Sequence, residues 1–390
     1  MKRNYLILMA IAFVLGIAVT SCNKNEMGQK DPKITDENVT VTANSATFTW
    51  TVEWVGKRIS VVELSQNEDM SNSQFYGSEE ELNKSEFTVT AHDLAPNTKY
   101  YYRFWVWNQS YVDNKFVMGI KDFCTLSGFI NAPFSVSRNE KVFFSKGNLQ
   151  YRASDNKWQF APYQYEYIGS DNSNISDTYT GWIDLFGWGT SGWDNGAVCY
   201  QPWSTNESNG DYYVYGALSF NLFDQGGKAD WGYNAISNGG NTMSSWRTLT
   251  NQEWEYVFNT RTTSTNIRYA KANVNNVNGV ILLPDDWNAS VYTLSSPNES
   301  SAHFGRNVIS ASQWVTLEQA GAVFLPAADY RNGHSYPSTY YENHNGYYWS
   351  ASYSDSEKVY CLHFYDDNLY SSYKQSRYMG YSVRLVCPAQ

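Results

Sequence analysis

The stretch Tyr330–Gln390 constrains this chain more than any other. It carries tyrosine at 330, 336, 340, 341, 347, 348, 353, 360, 365, 370, 373, 378 and 381, which is 13 of the 32 tyrosines in the whole sequence. The rest of the stretch is mostly Ser, Asn, Asp, Gly and His, with acidic and basic residues in rough balance. A disordered polar linker does not look like this, because disordered segments are poor in aromatics. A strand period runs beneath the composition: Val359, Cys361 and His363 alternate with Tyr360, Leu362 and Phe364, and Ser382–Val386 alternates with an aliphatic bias. The stretch therefore reads as core strands that carry Tyr/Ser/Asn-rich faces and loops. Antibody binding loops use the same palette: Tyr gives a large, stiff, amphipathic contact, and Ser, Asn and Gly give adaptable hydrogen bonds.

Four blocks in and before this stretch carry a family resemblance: Leu325-Pro-Ala-Ala-Asp-Tyr-Arg331, Gly346-Tyr-Tyr-Trp-Ser-Ala-Ser352, Tyr360-Cys-Leu-His-Phe364 and Arg377-Tyr-Met-Gly-Tyr-Ser-Val-Arg-Leu-Val386. They resemble the variable end of the C-type-lectin-fold target proteins of diversity-generating retroelements in Bacteroides-type bacteria. Those proteins are related to Fibrobacter succinogenes major paralogous domains. The likeness is strongest over about the last 65 residues and extends more weakly back to about residue 128, with a Tyr-rich variable region at about 330–386. It implies that a reverse transcriptase rewrites adenine-containing codons, so that Asn, Tyr, Ser and Asp accumulate where a ligand is met. It also implies a possible Cys361–Cys387 bridge like one in C-type lectin folds, against which stands the alternative of two buried free thiols.

The opening residues read as a targeting segment. Lys2 and Arg3 precede the apolar run Leu6–Val19, which is too short and too early for a permanent membrane span. Val19-Thr20-Ser21-Cys22 resembles a lipobox, so cleavage before Cys22 and lipidation of its thiol are expected. An ordinary secretory peptide is the alternative. Residues 1–21 are then the signal peptide and 22–33 a polar tether. The expected location is the outer membrane, lipid-anchored and facing outward. A net charge of −10 argues against a nucleic-acid partner.

Residues 34–126 read as a β-sandwich. Ala46, Phe48 and Trp50 alternate with Thr47 and Thr49. Leu94-Ala-Pro-Asn-Thr-Lys-Tyr100 resembles the Leu-x-Pro-x-Thr-x-Tyr signature of fibronectin type III domains, with Tyr100 as the corner tyrosine bonded to backbone just upstream. In the strand that follows, Tyr102, Phe104 and Val106 are expected inside, and Arg103, Trp105 and Trp107 outside. The outer Trp pair fits a sheet cover or a domain contact better than a sugar platform. Gly128 and Pro133 punctuate the boundary, and 128–390 is expected to be a C-type-lectin-like ligand-binding domain of α+β type.

Within that domain, Lys141–Phe144, Asn148–Arg152 and Trp158–Ala161 read as short strands, and 165–245 as long Gly/Trp/Asp/Asn-rich loops of the kind the lectin fold tolerates. Thr250 and Glu253 form a capping box that starts a helix with Trp254, Val257 and Phe258 facing inward. The block also resembles the corresponding helix of formylglycine-generating-enzyme-like domains. Ser312–Ala320 reads as a second helix, and Tyr269–Ala272, Gly279–Leu283 and Gly321–Pro326 as strands.

Catalytic signatures are missing from the sequence: no G-x-S-x-G, P-loop or H-E-x-x-H occurs. No enzyme activity, cofactor or metal is expected. His334, Glu342 and His344 are a metal alternative, but scattered polar loop residues more often meet only solvent. The calcium-lectin triplets are also absent. The expected function is surface binding of a protein or glycan ligand outside the cell. Its contacts would be His334, Tyr336, Tyr340, Tyr353, Ser354, Lys358, His363, Tyr365, Asp367, Asn368, Tyr370, Tyr373, Gln375 and Tyr378, with the tyrosines packing at the centre and the polar residues at the rim, over a frame of Trp349, Leu362, Phe364, Val383 and Leu385. The alternatives are a glycan-binding adhesive module, and an enzyme of the formylglycine-generating class acting through Cys361.

Overall fold

Strict alternation of apolar and polar residues builds the N-terminal part of the chain. The computed structural model describes residues 31–41, 45–54, 58–77, 85–96, 98–108, 111–125, 128–212, 220–333, 343–355 and 357–389. Its first strands are β1 (Lys33–Val41), β2 (Ala46–Glu53), β3 (Arg58–Ser65), β4 (Gln74–Tyr76), β5 (Glu86–Ala91), β6 (Lys99–Asn108), β7 (Tyr111–Val117) and β8 (Lys121–Cys124). One sheet runs β1-β2-β5. The other runs β4-β3-β6-β7, with β8 also on β6.

Ala46, Phe48, Trp50 and Val52 from β2 meet Tyr102, Phe104 and Val106 from β6 in one core, as the two-residue period requires. Arg103, Trp105 and Trp107 are half-buried on the outer face of β6. There Trp105 and Arg103 converge on the Glu63 carboxylate. The Tyr100 hydroxyl accepts the Ala95 backbone N–H at 2.9 Å, the upstream bond expected of a corner tyrosine.

From residue 129 onward the cores are separate from that one and draw only on later residues. The strands are β9 (Phe134–Ser135), β10 (Lys141–Phe144), β11 (Leu149–Arg152), β12 (Lys157–Phe160), β13 (Arg247–Thr248), β14 (Tyr269–Val274), β15 (Val277–Leu282), β16 (Val308–Ile309), β17 (Val323–Pro326), β18 (Gly346–Tyr353), β19 (Lys358–Tyr365), β20 (Asn368–Ser376) and β21 (Leu385–Pro388). They form four sheets, ordered β13-β21-β10-β9, β11-β12, β16-β14-β15-β17 and β18-β19-β20.

Two short helices pack on them, α1 (Asn251–Glu255) and α2 (Ala311–Gln319). Each begins with a capping box, Thr250 with Glu253 and Ser310 with Gln313, so the N–H groups of the capping residue and of the third helical residue are satisfied locally. Glu253 also forms a fork with Arg247. Trp254, Val257 and Phe258 are buried as the helical spacing predicts.

Between β12 and β13 the described chain has no strand longer than an isolated bridge and forms only short 3-10 turns. It is nevertheless well buried: Trp188 and Trp231 sit in the same core as Trp349 and Leu385. The chain as a whole is mostly β, with long irregular connections.

Candidate functional site

The sheet β18-β19-β20 holds the middle of the tyrosine-rich stretch and fixes which of its rings can be met from outside. Its inner face is apolar. Tyr348, Leu362 and Phe364 are buried in a core with Phe304 and Leu325. Phe364 faces Gly346 across the pair, and a Cβ on Gly346 would lie 2.1 Å from the Phe364 ring, so glycine is what lets the strands close.

β18 is held from several directions. The Trp349 indole donates to the Phe186 carbonyl at 2.6 Å, Trp188 donates to the Ser350 carbonyl at 2.9 Å, and the Tyr348 hydroxyl donates to the Pro326 carbonyl at 2.8 Å. Segment 380–383 lies alongside, with Trp349 N–H bonded to Ser382 O and Ser382 N–H to Tyr347 O. Rings on the opposite face of this sheet therefore stand on a frame with little freedom.

On that opposite face the register sets up rungs of rings. Tyr347 pairs with His363, and His363 with Tyr370; one rung along, Trp349 pairs with Cys361, and Cys361 with Tyr373. A bulge between Cys361 and His363 in the β19–β20 ladder brings Tyr370 and Tyr373 to the same side. The rings form a graded series from interior to surface. Tyr381 stacks on Tyr347 at 4.5 Å, and Tyr347 on His363 at 4.1 Å with only 5° between planes. His363 then touches Tyr373, Tyr365 and Tyr370 at 4.9, 5.3 and 6.0 Å. Tyr381 is fully buried and Tyr347 is 9% exposed, whereas Tyr370 is 38% exposed. Tyr365 and Tyr373 are half-buried beside it.

His363 is the floor of this group. It is 7% exposed, and neither ring nitrogen has a hydrogen-bond partner. Burial pushes its pKa down to about 4, so the ring is neutral at physiological pH, with one N–H donor and one lone pair. Burial likewise raises the Tyr347 and Tyr381 hydroxyls well above the ordinary phenol range.

The β19–β20 turn carries the charge. Asp366 accepts the Phe304 backbone N–H at 2.9 Å and lies 2.6 Å from His303 Nδ1. Burial works to raise its pKa, but the bonds from His303 and Phe304 outweigh it and hold it below the usual carboxylate range. Asp367 is more exposed and lies 3.7 Å from the same imidazole. The ligand-capable atoms of His303, Asp366 and Asp367 all fall within 4.8 Å of one another. A cation is already there: the Lys271 ammonium donates to the carbonyls of Ser300, Tyr365 and Asp366 at 2.5, 2.6 and 3.1 Å. Burial lowers the Lys271 pKa to about 8, against the pull of Asp366 and Asp367. The turn is thus held by bonds from His303, Phe304 and Lys271 within the chain.

Among the residues expected from sequence, His363, Tyr365, Tyr370 and Tyr373 are brought together, with Asp367 and Asn368 in the adjoining turn. Lys358 and Gln375 lie at the far end of the β19–β20 pair, and the Ser354 N–H bonds to the Lys358 carbonyl. Tyr353 stands apart, 5.6 Å from the Arg377 guanidinium, which also lies over Trp188 at 5.0 Å. Tyr378 is half-buried in the turn after β20. His334, Tyr336, Tyr340, Glu342 and the lipidation residue Cys22 lie outside the described residues.

Two expectations need correcting. His363 is a buried floor under the tyrosines, not a rim contact. Cys361 and Cys387 are free thiols: β19 is flanked by β18 and β20, whereas β21 lies between β13 and β10, so their strands are not neighbours. Sequence reading also left out Tyr347 and Tyr381, the inner half of the ring series. The alternation of Tyr347 and Trp349 with Tyr348, opposite that of His363, held the signal for the first.

No family model matches the chain, and no curated protein does. Among solved structures, the chain is similar to the short sensor-domain form of the anti-sigma factor RsgI4 of Pseudobacteroides cellulosolvens, at 21% identity over 25% of this chain and 93% of that one, with TM-score 0.20. It is also similar to a computationally redesigned β-sandwich protein, at 21% identity over 24% of this chain and 94% of that one, with TM-score 0.20.

Proposed function

We propose that this chain is a lipid-anchored surface receptor or adhesin in which a fibronectin type III-like unit, 34–126, spaces a C-type-lectin-like unit, 128–390, from the membrane. In this reading the outer face of β18-β19-β20 binds a macromolecular ligand outside the cell. One observation carries it: Tyr365, Tyr370 and Tyr373 gather at the surface at the turn end of a sheet that is otherwise packed between two cores, above a ring series that anchors them. Tyrosines held this way can change their contacts without disturbing the frame, which suits a face diversified by a retroelement.

The spacer reading is supported by the β1-β2-β5 and β4-β3-β6-β7 sheets and by the Tyr100 corner bond. The formylglycine-generating alternative is disfavoured by Cys361. Its thiol is fully buried, burial raises its pKa well above the ordinary value, and it sits in register between Trp349 and Tyr373.

The test uses the full chain displayed on cells, probed with a glycan array and with a library of extracellular protein domains. Ligands of this face should be lost in Y365A/Y370A while the thermal midpoint holds. Hits confined to the glycan array would favour the adhesive-lectin alternative, and hits indifferent to the double substitution would overturn the proposal.

A further inference from the structure

Resting on the reading of this face as a binding surface, we infer that its occupant is a basic segment of a protein partner, with a lysine or arginine side chain laid over Tyr365, Tyr370 and Tyr373 beside the Asp366–Asp367 turn. The sheet itself shows the geometry. Lys374 lies over the Tyr360 ring at 5.3 Å, and Arg377 over Tyr353 at 5.6 Å. Among the described residues no cation of the chain covers Tyr365, Tyr370 or Tyr373, although their centroids are only 5.7 and 6.4 Å apart and Tyr370 is open to solvent. Ring faces carry the negative lobe of the aromatic quadrupole, so a vacant group of them attracts a cation.

A second, independent feature points the same way. His363 touches all three of these rings, is more than nine-tenths buried, and has both nitrogens unbonded. A buried acceptor without a donor is costly. The nitrogens lie beneath the tyrosines and out of reach of solvent, so an ammonium or guanidinium, which brings donors and no acceptor, satisfies the imidazole lone pair only where binding parts those rings. An anionic ligand would face ring π-clouds and two carboxylates together.

Charge complementarity extends outward from the rings. Asp367 is 73% exposed at its side chain, and the chain as a whole carries −10. Lys271 offsets part of the turn's charge, but its ammonium is bound to three carbonyls on the turn's inner side. A neutral glycan could stack on the same rings yet would gain nothing from the carboxylates.

The experiment pans a phage-displayed random peptide library on the full chain, with Y370A as the counter-selection target and Y370F as the control that keeps the ring. Peptides retained by the parent and by Y370F but lost on Y370A should be enriched in Lys and Arg. Their binding should weaken with added salt, and D367N should reduce it by up to about fivefold, the span expected when a cation loses one exposed carboxylate partner. Tyr370-dependent peptides without basic enrichment, or basic peptides indifferent to D367N and to salt, would overturn this inference and leave the binding-face reading standing. A library that yields no Tyr370-dependent peptide would overturn both.

Discussion

Tyr347 and His363 face each other across β18 and β19 with centroids 4.1 Å apart and planes 5° from parallel. The contact joins the interior to the surface: behind Tyr347 stands the buried Tyr381, and beyond His363 stand the three tyrosines of the outer face. Because the imidazole is buried without a hydrogen bond, its titration is tied to folding.

The first prediction concerns pH. The groups facing His363 are Tyr347 on β18, Tyr370 and Tyr373 on β20, and Tyr365 on its own strand, with no carboxylate in its ring contacts. Its pKa is about 4 when folded against 6.5 as the reference value. Between these values the unfolded chain holds a proton that the folded chain lacks. The stabilisation is therefore complete above pH 6.5 and drains away as pH falls toward 4, by up to ~3 kcal/mol. His363→Phe keeps a stacked ring and removes the titration. Urea unfolding of both chains across that window should show the parent losing stability more steeply, and parallel curves would contradict the account.

The second prediction separates frame from face. Phe364 is fully buried with Phe304 and Tyr348 around it. Phe364→Ala should cost about 3–5 kcal/mol. Tyr370→Ala, on the other face of the same sheet, should cost about 1 kcal/mol or less, because surface truncations away from special features do little. Denaturant midpoints of the two variants measure the contrast, and equal losses would mean that the outer tyrosines are part of the core.

Much of this was legible in the sequence where a short-range rule applied. Alternation placed Phe48, Trp50, Phe104 and Val106 inside, and the Thr250–Glu253 spacing located α1. The 165–245 stretch was readable as irregular, but its deep packing was not, because Trp188 is tied to the Ser350 carbonyl more than a hundred residues away in sequence and Trp231 joins the same cluster. At the candidate site, alternation alone puts His363 on the same side as Tyr365. It does not reveal which strand covers that side, and the Tyr347 and Tyr381 rings are what turn an expected rim residue into a floor. Cys387 failed for the same reason: strand adjacency depends on topology, and β21 joins a different sheet.

The third prediction follows from that topology. Cys361 and Cys387 should both react with an alkylating reagent in the chain unfolded without reductant, and neither should react quickly while it is folded. Burial raises both thiols, Cys387 to about 11, so little thiolate is present. Peptide mass mapping reads the outcome. A linked 361–387 peptide pair after non-reducing digestion would show that the two strands meet in solution.

The fourth prediction tests the closest approach in the sheet. Gly346 and Phe364 are register partners, and a methyl group on Gly346 would come within 2.1 Å of the Phe364 ring tip and 2.4 Å of its neighbouring carbon. The ring cannot swing away freely, because it is packed on Tyr348 and Phe304 in a filled core. Gly346→Ala should therefore destabilise by about 1–3 kcal/mol through overpacking. Phe364→Leu removes the clashing ring edge at a cost of its own, so G346A/F364L should be less destabilised than the sum of the two single variants. A double-mutant cycle on unfolding free energies should show a favourable coupling of about 1 kcal/mol or more. Strict additivity would mean that the strand pair opens to admit the methyl group, and that the frame beneath the tyrosines is looser than its hydrogen bonds indicate.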